Sequence, residues 1–116
     1  MPLLVLAGLF SALAPLCAAA NAVKLTRSDD RVRVEIDGQL FTEYIFKGAP
    51  KPYFYPVHAA DGTALTRNFP MKADVPGEVR DHPHHRALWF THGDVNGVDF
   101  WGESSGAKQG KIVSES

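Results

Sequence analysis

Arg31-Val32-Arg33-Val34-Glu35-Ile36 is followed by Asp37-Gly38 and then by Gln39-Leu40-Phe41-Thr42-Glu43-Tyr44-Ile45-Phe46, and this stretch decides the fold class. The first six residues alternate strictly, with the period of two that places successive side chains on opposite faces of a strand. Val32, Val34 and Ile36 therefore share one face. Asp-Gly is a strong two-residue hairpin signal. In the returning strand, Leu40, Thr42, Tyr44 and Phe46 fall on one face and Phe41, Glu43 and Ile45 on the other. Upstream, Val23-Lys24-Leu25-Thr26-Arg27 alternates in the same way and meets the hairpin through the turn residues Ser28-Asp29-Asp30. The pattern predicts an antiparallel meander.

Beyond Ala49 the character changes. Six of the 8 prolines lie from Pro50 to Pro83, which argues against a long helix there. Tyr53-Phe54-Tyr55-Pro56-Val57 reads as a short strand, Ala60-Asp61-Gly62-Thr63 as a turn and Leu65-Thr66-Arg67 as another short strand. Phe69 to Arg80 reads as an extended surface loop. Arg86 to His92 is apolar on both parities, as a central strand covered on two faces would be. Val95-Asn96-Gly97-Val98 is a second hairpin-like turn leading to Asp99-Phe100-Trp101. Lys111-Ile112-Val113 resembles the start of a further strand just before the sequence stops, which predicts a domain incomplete at its C-terminus. The missing strands would leave an open sheet edge, so poor solubility is expected of this piece alone.

At the other end, the first charged side chain is Lys24. Leu3 to Leu16 is apolar, and the small residues Cys17-Ala18-Ala19-Ala20-Asn21-Ala22 follow, as in a secretory leader and its cleavage region. Cleavage fits after Ala20 or after Ala22. The second is preferred because the strand pattern begins at Val23, which gives residues 1–22 as signal peptide and 23–116 as the domain. About 14 apolar residues fall short of the roughly 20 that span a bilayer. Export to the periplasm or the extracellular space is therefore expected, with no membrane association beyond the signal segment. Removal of the leader takes away the sole cysteine, so no internal disulfide and no thiol nucleophile is left. Twelve basic against 13 acidic residues, net charge −1, leave no basic surface for nucleic acid.

Four of the 5 histidines fall between His82 and His92, most of them in Asp81-His82-Pro83-His84-His85. In an extended chain His82 and His84 would point one way and His85 the other. Several chemistries fit this run. A divalent metal would take His82, His84 and His92, with Asp81 or Asp94 as a carboxylate ligand, since neutral imidazole is a common ligand for transition metals. A histidine beside a carboxylate would serve as a general acid or base. A carbohydrate platform would use the histidines, Asp81, Arg86 and Asn96 on hydroxyl groups and Trp89 or Trp101 against a sugar face. In the plainest reading, the histidines only tie a loop to the sheet. His58, isolated in the Pro-rich stretch, is read that way. Asp94, Asn96, Asp99 and Glu103 surround the second turn; Asn96-Gly97 is read mainly as hairpin chemistry and Phe100-Trp101 mainly as packing.

Four blocks carry a resemblance: Lys51-Pro52-Tyr53-Phe54-Tyr55-Pro56-Val57; Gly62-x-x-Leu65-Thr66-Arg67; Asp81-His82-Pro83-His84-His85-Arg86-x-Leu88-Trp89-Phe90; and Val95-Asn96-Gly97-x-Asp99-Phe100-Trp101. Together they resemble the PmoA-like family, bacterial proteins that are often exported, over roughly Val23 to Ile112. The resemblance implies a β-sandwich, related to the mutarotase-type supersandwiches, and brings no established reaction or catalytic residues. A methane monooxygenase subunit would cross the membrane several times. One short apolar segment does not fit that, and methane oxidation is not predicted.

The sequence thus predicts an exported all-β protein, an antiparallel sandwich, that binds or acts on carbohydrate-type small molecules. The expected catalytic residues are His84 as acid or base, Asp81 to orient it, and His82. The expected ligand contacts are His85, Arg86, His92, Asn96 and Trp101. A non-catalytic binding or structural module and a metal protein using His82, His84 and His92 are the alternatives. Substrate and oligomeric state are left open.

Overall fold

The computed structural model describes residues 22–103 and 108–115; the leader expected over 1–22 lies outside them except for Ala22. The chain is all-β and antiparallel, without helices among the described residues. Strands β1 (Val23–Arg27), β2 (Arg31–Ile36), β3 (Gln39–Ile45), β4 (Tyr53–Val57) and β5 (Leu88–Trp89) form one sheet in sequence order. Strands β6 (Asp94–Val95) and β7 (Val98–Asp99) form a separate hairpin. The meander has the expected strands and the expected turn. Asp37 and Gly38 both have positive φ (52° and 77°), as a type I′ connection requires.

Register gives each face its composition. Across β1 and β2, Val23 pairs with Ile36, Leu25 with Val34 and Arg27 with Val32; Val32 pairs in turn with Tyr44, and Tyr44 with Phe54. Apart from Arg27 this face is apolar, and Val23 and Leu25 on it are 63% and 66% exposed. The opposite face carries Arg31, Arg33, Glu35 and Glu43 in a lattice of ion pairs, with Arg31 Nη1 2.7 Å from Glu43 Oε2. Further along that second face, Ile45 pairs with Tyr53 and Tyr53 with Trp89. The buried cluster of Ile45, Tyr53 and Tyr55 forms there, with Ala49, Met71, Ala87 and Trp89 packed against it. The core therefore sits under the loops that cross this face and not on the apolar stripe of β1 and β2.

Those loops are tied down by side chains. Glu78 accepts hydrogen bonds from the Asn68 and Phe69 backbone N–H groups at 2.8 and 2.9 Å, and from Asn68 Nδ2. Asn68 Oδ1 in turn accepts from the buried Tyr55 hydroxyl at 2.8 Å. Three expected strands are corrected. Leu65-Thr66-Arg67 is not a strand: the Thr66 hydroxyl takes the Val57 N–H at 3.2 Å, so a side chain replaces the carbonyl that would continue a ladder. Arg86 to His92 is not a doubly covered central strand. Ala87 adopts φ 56°, pairing is confined to Leu88 and Trp89 at the end of the sheet order, and Phe90 is 90% exposed. Lys111-Ile112-Val113 is irregular and is held by the Ile112 N–H on the Pro50 carbonyl at 2.9 Å.

Candidate functional site

The site begins with a turn. His82 has φ 45°, and the His85 N–H donates to the His82 carbonyl at 2.9 Å, so Asp81 to His85 is folded back and not extended. The alternation expected of this run is overturned for that reason, and its three imidazoles converge. His82 and His85 stack at 4.8 Å between centroids with 17° between planes. His84 meets His85 edge-on at 4.4 Å. His85 stacks on Trp89 at 5.1 Å, and Trp101 meets both His85 and Trp89 at 5.9 Å. Five aromatic rings from two stretches of chain thus form one cluster, set by β5 on one side and by the segment after β7 on the other.

Charged groups bound this cluster at two places. On one flank Asp81 accepts from Arg67 Nη1 at 3.0 Å and from His82 Nδ1 at 2.9 Å. The Arg67 bond, then the His82 bond, hold the Asp81 carboxyl below the usual carboxylate range. The carboxylate expected to orient His84 is paired with His82 instead, because the turn brings the neighbouring ring onto it. On the other flank Arg86 binds Glu103 through Nε at 3.1 Å and Nη2 at 2.8 Å. Burial pushes the Glu103 carboxyl up, but the bonds and charge of Arg86, with Lys51 added, outweigh it, and the net direction is down. His85 is lowered by burial first and then by the charges of His84 and His82. Protonation of His85, at the centre of the cluster, is thereby disfavoured.

Not every expected residue reaches this place. His82, His84, His85, Arg86 and Trp101 do, with Asp81 at the rim. Asn96 sits at φ 55° in the exposed β6–β7 turn, whose Gly97 N–H is held by Asp94 Oδ1 at 2.7 Å, and it serves the hairpin. His92 is exposed just ahead of β6. Among the described residues no group of three or more His, Cys, Asp or Glu side chains is arranged to hold a metal ion. His58 is tied to the Leu40 carbonyl through Nδ1 at 3.1 Å, as a structural histidine. Sequence reasoning missed Arg67, which fixes Asp81, and Lys51, buried under the cluster with Nζ on the Trp101 carbonyl at 2.7 Å. A lysine before Pro52 gives no sign of burial; the hints were its place at the mouth of an aromatic strand and at the head of a block that carries the family resemblance.

A family model described as a family of unknown function, DUF6807, matches residues 31–116. No curated protein and no solved structure shows a match. The family description names no activity, and methane oxidation gains nothing from it. The matched range takes in β2 through β7 and every residue of the ring cluster, and the chain belongs to the DUF6807 family.

Proposed function

We propose that this is an exported, periplasmic or extracellular domain that binds carbohydrate-type small molecules at the cluster of His82, His84, His85, Trp89 and Trp101. The observation that carries the reading is the mixture of rings: three imidazoles interleaved with two indoles, with Trp101 left 44% exposed. A sugar presents a face of C–H bonds and a rim of hydroxyl groups. An exposed indole covers the first, and imidazole, guanidinium and carboxylate groups hydrogen-bond the second. Asp81, half-exposed at the rim, supplies such bonds from the lone pairs that Arg67 and His82 leave open, while Arg86 is engaged with Glu103.

Any proton transfer falls to His82 in this proposal. A carboxylate on its Nδ1 fixes the tautomer that leaves Nε2 free to accept a proton. His84 then becomes a contact residue. The likeness to the PmoA-like family and the mutarotase-type sandwich belong to the same proposal. The apolar face of β1 to β3 is suited to a second sheet packed on it at about 10 Å.

The test is a tryptophan fluorescence titration of the full chain with a panel of neutral mono- and disaccharides. A saturable change is expected with at least one of them, lost in Trp101→Ala and weakened about tenfold in His84→Ala. No saturation with any sugar would leave the histidines as loop fasteners. Stoichiometric metal by elemental analysis of untagged protein, lost in a His82→Ala/His84→Ala variant, would replace the sugar reading with a metal site.

A further inference from the structure

Lys51 is the one buried charged residue among the described residues, at 2% exposure. Burying an ammonium is costly, and a methionine of similar volume would fill the space without that cost. Packing alone does not account for a lysine here. What the ammonium does is hold two groups at once: the Trp101 carbonyl at 2.7 Å and Glu103 Oε1 at 3.4 Å. Glu103 holds Arg86, the residue after His85. The Trp101 N–H is held from the other side by Asp99 Oδ1 at 2.7 Å. Both peptide groups flanking the Trp101 Cα are therefore fixed, although the indole itself reaches solvent.

We propose that Lys51 is the positioning residue of this site. It sets Trp101 against His84 and His85 and, through Glu103, sets Arg86. Of the two stretches that build the cluster, 81–89 and 99–103, the Lys51 ammonium ahead of β4 holds the second directly, and Glu103 carries the link to the first through Arg86. A binding constellation needs such support, because rings placed loosely give up affinity to ordering. What the assembled site takes rests on the sugar reading; that Lys51 assembles it does not.

The experiment compares the full chain with Lys51→Met, Lys51→Arg, Trp101→Phe and the Lys51→Met/Trp101→Phe double variant. The indoles of Trp89 and Trp101, 5.9 Å apart and inclined at 63°, give an exciton couplet in circular dichroism that reports their relative position without any ligand. Trp101→Phe abolishes the couplet by definition. Lys51→Met is expected to abolish it while the strand signal of the sheet remains, and Lys51→Arg to retain part of it. With a sugar found as above, Lys51→Met is expected to weaken binding about tenfold, and to cost less than that again when added to Trp101→Phe, because part of its effect runs through Trp101. An unchanged couplet in Lys51→Met, or losses that multiply in the double variant, would overturn the proposal. If Lys51→Met has no cooperative melt, Lys51→Arg carries the comparison alone: a weakened couplet supports the proposal and a full one overturns it. A wild-type chain that binds no sugar sinks the sugar reading alone, because the couplet still decides the role of Lys51.

Discussion

The imidazole of His85 lies stacked on the indole of Trp89, with centroids 5.1 Å apart and 29° between planes, and is stacked on His82 as well at 4.8 Å. Among these rings a proton on His85 would lose hydration and would face His84, His82 and Arg67. Burial first and these charges after it depress its pKa below the ordinary 6.5, against a small opposing pull from Asp81. The unfolded chain then binds the proton at higher pH than the folded one. Stability from this group is complete above about pH 6.5 and is lost as pH falls through the lower folded value.

The melting temperature of the full chain is therefore expected to fall between about pH 7.5 and about pH 5.5, and less steeply in His85→Phe. Thermal melts at matched ionic strength check this. Parallel slopes for the two proteins would show that His85 is not the group responsible.

Glu103 is the carboxylate on which Lys51 and Arg86 both converge. Its removal leaves a fully buried ammonium without its ion pair and a largely buried guanidinium without either of its bonds. Breaking a buried ion pair costs about 3–5 kcal/mol, and the one-fifth exposure of the Arg86 side chain reduces that here to about 2 kcal/mol. Glu103→Ala should lower stability by this amount in urea unfolding. Glu103→Ala in a Lys51→Met background should cost less than half as much, because one of the two stranded cations is gone. Equal losses in both backgrounds would mean that Lys51 and Glu103 are not coupled.

How much of this was legible in the sequence follows from the range of the forces involved. Strands β1 to β4 and both Xaa-Gly turns could be read because alternation and left-handed turn positions are local properties. Asp37 and Asn96 each precede a glycine and each adopt positive φ. Arg86 to His92 was misread because two-parity apolarity is shared by a buried strand and by a short edge strand whose neighbours form a ring cluster. The decisive event, Ala87 at φ 56°, has no compositional sign. The histidine run was legible as a cluster but not as a geometry. Pro83 within a turn brings three rings together, where an extended chain would have divided them. Lys51 and Arg67 escaped notice because their partners, Trp101 and Asp81, are 50 and 14 residues away in the chain.

The two turn glycines provide a comparison of like with like, since Gly38 and Gly97 both have φ 77° and open space where a Cβ would stand. Alanine at either pays the left-handed backbone penalty of about 1 kcal/mol. Gly38 joins β2 to β3 in the middle of the five-stranded sheet, so Gly38→Ala is expected to lower global stability by that amount. Gly97 closes the separate two-residue hairpin, so Gly97→Ala should raise amide exchange in β6 and β7 with little change in the melt. Equal effects on the melt would show that the hairpin unfolds together with the main sheet.

Ala22 bears on where an exported chain begins. Its N–H donates to Asp37 Oδ1 at 2.8 Å, and its carbonyl accepts from the Asp37 N–H at 3.0 Å, so the pairing of β1 with the β2 turn extends one residue upstream of Val23. Cleavage after Ala22, which the strand pattern favours, would remove both bonds, worth about 1 kcal/mol together at this exposed end. Cleavage after Ala20, where Ala18 and Ala20 supply the small residues, keeps them and begins the chain at Asn21. Intact mass of protein recovered after export is expected to give an Asn21 start. A Val23 start would show that these two bonds are dispensable, and a chain still carrying Met1 would overturn cleavage itself.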